Sequence, residues 1–215
     1  MARGKAPDDK HTETLVTAKR LPKAPAIDID HVLQVAADLF AEHGFDGLST
    51  REIAKACGCR LPSIYYHFGN KETLYREAFS NKLEDTIDEI QRQVDDSALP
   101  EEKVRQMVAA FFSLFTQDRT LLLLVQRDIA EVSLPNRQFL CRQQHVFFLR
   151  YIRDLASEAL GITADPNTVF IINGMLLGYC EFYNLVQEAG EKLPGESNET
   201  RLASLQEAVL KLLRD

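Results

Sequence analysis

Residues 48–74 read LSTREIAKACGCRLPSIYYHFGNKETL. Ser49 and Glu52 form the Ser-x-x-Glu pattern of a capping box, in which each side chain satisfies a backbone N–H group at the start of a helix. Gly58 interrupts that helix, and Pro62 begins another, because proline is tolerated in a first helical turn. The segment therefore predicts two short helices joined by a glycine turn.

A longer helix is predicted on each side of this pair. On the N-terminal side, apolar residues recur every three or four positions from Asp30 to Gly44, where a helix would end. On the C-terminal side, a similar spacing runs from Lys71 to about Val94. The first three helices form a helix-turn-helix arrangement. Its predicted core contains five apolar residues: Ile53, Ala54, Ile64, Phe68 and Leu74.

The rest of the chain shows helical patterns only. They cover about residues 104–115, 120–132, 136–160, 166–189 and 200–213. The fourth of these is apolar nearly all round, which predicts that it is buried on all sides. The predicted fold is therefore all-α, with a three-helix head, a C-terminal helical bundle and about nine helices in total.

The domain organisation follows from these patterns. Residues 1–27 are rich in proline and charge and lack apolar periodicity, which is typical of a flexible tail. We predict a helix-turn-helix domain over 28–72 and a bundle for ligand binding and dimerisation over 73–215.

The net charge of −7 argues at first against a nucleic-acid partner, but it is unevenly distributed. Residues 83–215 carry a net charge of −8, whereas residues 1–27 carry +3. Residues 49–76 contain five Lys or Arg residues but only two Glu residues. A local positive surface on the head is therefore compatible with an acidic chain.

Composition also bears on location and chemistry. No apolar run approaches the roughly 18 residues of a membrane span, and no secretory leader is evident, so a cytoplasmic protein without membrane attachment is expected. The four cysteines are too few for a disulfide scaffold. Cys57 and Cys59 lack further ligands at metal-binding spacing and are interpreted as small apolar residues of a turn. Neither a metal nor a cofactor is predicted.

The quoted segment, including the Tyr-Tyr-His-Phe run and the following Lys-Glu-Thr-Leu, closely resembles the DNA-binding signature of TetR-family regulators. The resemblance is strong over about residues 30–75. It implies a homodimer joined by its last two helices, which binds a palindromic double-stranded operator and represses transcription until a small apolar ligand releases it.

The resemblance also implies which residues meet DNA. The reading helix would be residues 62–67. Its early part would lie nearest the bases, whereas its later part and the starts of the preceding and following helices would hold the DNA backbone. The expected base-proximal residues are Arg60, Leu61, Pro62 and Ser63; those near the backbone are Tyr65, Tyr66, His67, Lys71, Ser49, Thr50 and Arg51. Arg60 and Pro62 depart from the commonest family pattern, which leaves the operator sequence open.

Aromatic residues of the bundle suggest a ligand pocket, although core packing is the simpler interpretation of any one of them. The candidate lining comprises Phe111, Phe115, Phe147, Tyr151, Phe170, Asn173 and Tyr179. An enzyme is disfavoured because the sequence contains no nucleophile elbow, phosphate-binding glycine loop or His-Glu metal pair. A helical adaptor that has lost its DNA affinity remains the alternative.

Overall fold

A computed structural model describes residues 27–130, 138–139, 142, 150–158, 161, 164–191 and 197–214. The predicted flexible tail lies almost wholly outside these residues. Nine helical segments and no strand occur in the described part of the chain, which confirms the all-α prediction. They are α1 (Ile29–His43), α2 (Thr50–Ala56), α3 (Leu61–Phe68), α4 (Lys71–Arg92), α5 (Pro100–Gln117), α6 (Thr120–Ala130), α7 (described over residues 150–158), α8 (Pro166–Glu188) and α9 (Asn198–Arg214).

Side-chain caps fix the helix starts of the head. The Asp28 carboxylate accepts a hydrogen bond from the His31 N–H group at 3.1 Å, so α1 begins at Ile29. Gly44 ends α1 as predicted, with φ of 74° in the left-handed region that favours glycine. The start of α4 is capped by the Asn70 side chain, whose oxygen accepts from the Thr73 N–H group at 2.8 Å.

The core of the head contains every residue predicted for it. Ile53, Ala54, Ile64, Phe68 and Leu74 are all buried. They pack with apolar residues of α1, where the Phe40 ring meets the edge of Tyr75 from α4 at a centroid distance of 4.8 Å. Because α4 continues from this core into the bundle, head and bundle share one apolar cluster.

The bundle is organised around α5, which packs against α4, α8 and α9. The apolar residues that form the helical pattern predicted over 104–115 are buried as one stripe: Val104, Met107, Val108, Phe111, Phe112 and Phe115. The next helix, α6, turns by 81° from the direction of α5 and returns across α1 and α4. The predicted helix over 136–160 is seen at residues 150–158, and most of its remainder lies outside the described residues.

The expectation that α8 is buried on all sides is wrong for the single chain. Its inner side packs towards α5 and α9, but four apolar residues on its surface are each more than half exposed: Phe170, Ile171, Phe182 and Leu185. By length and composition alone α8 could cross a membrane, and so could the bent pair α5 and α6 taken together, contrary to the expectation from the sequence. Core helices of soluble proteins share these properties. An apolar sequence indicates that a helix face is buried in the working protein. It does not indicate whether the same chain or another molecule buries it.

Candidate nucleic-acid interface

The capping box predicted at the start of α2 is present. The Ser49 N–H group donates to the Glu52 carboxylate at 2.8 Å, and the Glu52 N–H group donates to the Ser49 hydroxyl at 3.3 Å. Hydrogen bonds from Ser49 to the carboxylate lower the pKa of Glu52. The reciprocal bonds fix the first turn of α2 and leave the exposed Ser49 and Arg51 at its N-terminal end, where the helix dipole favours anions.

The turn between α2 and α3 depends on Gly58, whose φ is 63°. Cys57 and Cys59 flank it and are half-buried, and burial raises the pKa of the Cys57 thiol to about 11. Within the described ranges, no group of three or more His, Cys, Asp or Glu side chains is placed to hold a metal ion. The turn thus leads into α3 with its two thiols protonated at neutral pH.

The outer side of α3 presents a set of exposed side chains. The exposed residues are Pro62, Tyr65, Tyr66 and His67, and the exposed fraction of Tyr66 is 70%. Ile64 and Phe68 occupy the opposite side and anchor the helix in the core. This division gives α3 a solvent-facing surface of aromatic and polar groups on a fixed base.

Basic side chains lie on the elements next to α3. Arg60, immediately before α3, is exposed and makes no side-chain cap to the helix. Arg51 and Lys55 are exposed on α2. Lys71, at the first residue of α4, is half-buried, and its ammonium group lies 4.4 Å from the centre of the Phe45 ring. The cations therefore lie on three successive elements around α3.

Two of the predicted contact residues are buried. Ser63 is predicted to lie near the bases, but only 2% of it is exposed, and its Oγ has no hydrogen-bond partner in the described structure. Ser63 is buried because it lines a groove between the start of α1 and the turn, together with His31 and Cys57. Thr50 is also buried, and its Oγ1 lies 3.0 Å from the Tyr65 hydroxyl.

The residues proposed for a ligand pocket are dispersed. Phe111 and Phe115 are buried in the core with their rings stacked at 4.1 Å, whereas Phe170 is exposed on α8. Tyr179 lies 6.0 Å from Phe112 between ring centres. Asn173 has a buried side-chain oxygen without a partner in the described residues. Phe147 lies outside the described residues.

Tyr151, another member of that set, lines a cavity. The cavity has a volume of about 400 Å3 and lies between α4 and α7. Among the described residues, its lining also includes Ile87, Gln91, Arg150, Asp154, Leu155 and Glu158. Burial raises the pKa of Tyr151 to about 12, with a smaller contribution from Asp96. Sequence reasoning missed the charged members, because charges on an amphipathic helix usually mark its solvent-facing side.

Comparison with known proteins identifies the head. Residues 32–78 match the family model described as bacterial regulatory proteins, tetR family. The chain is similar to the fatty acid metabolism regulator protein of Bacillus subtilis, with 27% identity over 107 residues, covering 50% of this chain and 55% of that one. It is also similar to the repressor KstR2 of Mycolicibacterium smegmatis, with 29% identity over 119 residues, covering 55% and 58%. The matches span about half the length of these relatives.

Solved structures extend the likeness to the whole fold. The fatty acid degradation regulator FadR from Bacillus halodurans superposes with a TM-score of 0.67 and 23% identity, covering 86% of this chain and 97% of that one. FadR from Bacillus subtilis, in complex with stearoyl-CoA, gives a TM-score of 0.63 and 22% identity, with the same coverage. At these identities the structures show a common fold.

Proposed function

We propose that this chain, which belongs to the TetR family of bacterial regulatory proteins, is a sequence-specific DNA-binding transcription regulator that acts as a repressor. The observation that carries the proposal is the exposed outer side of α3, held on a buried base, with cations on the neighbouring α2, α4 and turn. A major groove about 12 Å wide admits one α-helix, and its base edges distinguish all four base pairs.

In the proposed complex, the residues of the head divide into two roles. Arg60 and Pro62 lie nearest the bases, with Leu61 beside them, and the Arg60 guanidinium has the two parallel donors that a guanine edge accepts. The phosphates are held by Tyr65, Tyr66, His67, Lys71, Ser49 and Arg51, and these contacts position the helix but do not specify sequence. Because Ser63 is buried, we exclude it from the base contacts.

We further propose that residues 28–72 form the reading domain and residues 73–215 the domain for dimerisation and ligand binding. The exposed apolar residues of α8 support a homodimer in which α8 and α9 pack against their counterparts in a second copy. Such a dimer covers these residues, so they need no membrane, and we propose that the protein works in the cytoplasm. A two-fold dimer reads a palindrome whose half-sites lie about 34–36 Å apart.

A small apolar ligand is proposed to release the repressor. The cavity between α4 and α7 supports this proposal, because Ile87 and Leu155 provide apolar walls and Gln91 and Arg150 provide polar groups. A ligand that prefers a conformer unable to bind DNA lowers DNA affinity by the same factor by which DNA lowers ligand affinity. Stearoyl-CoA, stearate and coenzyme A are suitable first probes, each read as a rise in Tm.

The DNA-binding proposal is tested by selecting operators from a random duplex library and measuring affinity by gel shift over a salt series. We expect one palindrome to be enriched. Arg60→Ala should weaken binding to it by about 1–3 kcal/mol and relax specificity at one position, and Lys71→Ala should reduce the salt slope by about 1. Arg92→Ala, which removes an exposed cation from the far end of α4, is the matched control and should bind normally.

Two results would contradict the proposal. One is a selection that enriches no sequence. That result would favour a helical adaptor. The other is unchanged affinity and salt dependence in both Arg60→Ala and Lys71→Ala, which would show that DNA is bound by a different surface.

A further inference from the structure

Arg127 joins α6 to the end of α1. Its Nε donates a hydrogen bond to the Ala41 carbonyl oxygen at 2.6 Å, and its guanidinium also donates to the Glu42 carbonyl oxygen. The partners are separated by more than 80 residues in the sequence. One half-buried side chain of the bundle therefore holds two backbone groups of the head.

The two carbonyl groups have a particular need for such a partner. Ala41 and Glu42 belong to the last turn of α1, where carbonyl oxygens have no N–H group of their own helix to accept from. The negative end of the helix dipole also lies there, so a cation is favoured. The planar guanidinium offers several donors in a fixed geometry, which a lysine ammonium does not. The contact thus defines the direction of α1 as well as its distance from α6.

A second contact lies at the opposite end of α6. The Thr120 hydroxyl donates to the Asp38 carboxylate of α1 at 2.8 Å. Thr120 and Arg127 are about two helical turns apart, and their partners on α1 are about one turn apart. Because two separated points are fixed, α1 cannot rotate about either one alone.

The other side of α6 is joined to α8. Gln126, the residue before Arg127, donates to the Glu181 carboxylate, and Arg119 just before α6 pairs with Glu188. Asn184 of α8, which is buried, donates to the Phe115 carbonyl oxygen near the end of α5 at 3.0 Å. The start and the middle of α6 are thereby fixed to the helix that carries the exposed apolar residues.

We propose that Arg127 is a positioning residue for DNA reading, which sets the orientation of the head relative to α8 through α6. The inference rests on the proposed function, since it concerns how a dimer presents its two heads. Neighbouring residues 126 and 127 connect α8 on one side and α1 on the other. Adjacent residues of α6 therefore join the head to α8.

The test uses the selected operator and a set of duplexes in which the half-site spacing is changed by one or two base pairs. Each added base pair moves one half-site by about 3.4 Å along the DNA axis. A dimer whose heads are held at a fixed separation should therefore bind the altered duplex more weakly. We expect wild-type affinity to fall by at least about tenfold at altered spacing, and Arg127→Met to reduce that fall to about threefold or less. Arg127→Lys, which keeps a charged donor, should be intermediate.

Arg105→Met is the matched control, because Arg105 pairs with Glu207 and so joins α5 to α9, which both belong to the bundle. It should retain the wild-type spacing dependence. If Arg127→Met lowers affinity equally at every spacing, or if Arg105→Met relaxes the spacing dependence as strongly, the proposal is overturned.

Hydrogen exchange separates this proposal from the proposed function. In the full chain without DNA, Arg127→Met should accelerate exchange at the last turn of α1 and in α2 and α3 by about tenfold, with little change in α5. Thr120→Val removes the hydrogen bond to Asp38 but leaves Arg127 in place. It should also accelerate exchange in the head. Unchanged exchange in the head of both variants would overturn the role of Arg127, whether or not any operator is found. A failed operator selection with accelerated exchange would overturn only the DNA-binding function.

Discussion

The Tyr65 hydroxyl of α3 lies 3.0 Å from Oγ1 of Thr50, the first residue of α2. Thr50 is buried, whereas about half of Tyr65 is exposed. The hydrogen bond therefore holds a side chain of the outer surface against the inside of the head. It fixes the two short helices relative to each other.

We predict that Thr50→Val lowers the free energy of unfolding by about 1 kcal/mol, the usual net contribution of one hydrogen bond. DNA affinity should fall as well, because the Tyr65 ring loses its fixed orientation. Urea denaturation and gel shift measure the two effects. Thr50→Ser keeps the hydroxyl and should remain close to wild type, and a Thr50→Val protein equal to wild type in both measurements would contradict the prediction.

How much of this region follows from the sequence depends on the distance between partners. The capping box of Ser49 and Glu52 and the glycine turn are local patterns, and the sequence predicts both. The bond between Thr50 and Tyr65 spans 15 residues, and nothing in either residue type specifies it. The burial of Ser63 was missed for a related reason: a hydroxyl near a helix start is normally exposed.

The bundle shows the same boundary between local and non-local information. Periodicity predicts the buried stripe of α5 because a helix with one apolar side must turn that side inwards. It does not predict which aromatic residues enclose a cavity, since Phe111 and Phe115 stack on each other in the core. Likewise, the link from Arg127 to α1 depends on the 81° turn after α5.

The pKa of Glu52 predicts how the stability of the head depends on pH. Its pKa is lowered in the folded chain by hydrogen bonds from Ser49. The resulting stabilisation is fully present above the pKa of the unfolded chain and is lost as the pH falls through the lower, folded value. Glu52→Gln keeps a capping side chain but cannot titrate, so the stability difference between wild type and this variant should shrink in that acidic window. Denaturation midpoints measured from neutral to acidic pH test this, and a difference that is constant with pH would contradict it.

The thiol of Cys57 should be unreactive at neutral pH. Its pKa of about 11 leaves roughly one thiol in three thousand ionised at pH 7.5, and the thiolate is the reactive form. Alkylation by iodoacetamide, followed residue by residue by mass spectrometry, should be at least about tenfold slower in the folded chain than in the urea-unfolded chain. Equal rates would show that the turn is open to solvent, and would reopen a redox or metal-binding interpretation of Cys57 and Cys59.

The outer side of α8 provides the sharpest test of the proposed dimer. Phe182 is 69% exposed in the single chain, and a glutamate at this position would place a charge in the middle of an apolar contact between two copies. Phe182→Glu should therefore shift the protein from dimer to monomer in sedimentation velocity while leaving the helical circular dichroism unchanged. The monomer should also bind a palindrome far more weakly, because its single head lacks the gain in affinity that comes from two linked heads binding two half-sites. Leu99→Glu is the control, since Leu99 is 78% exposed at the start of α5 and does not belong to α8. A Phe182→Glu protein that remains dimeric, or a Leu99→Glu protein that dissociates, would place the interface elsewhere.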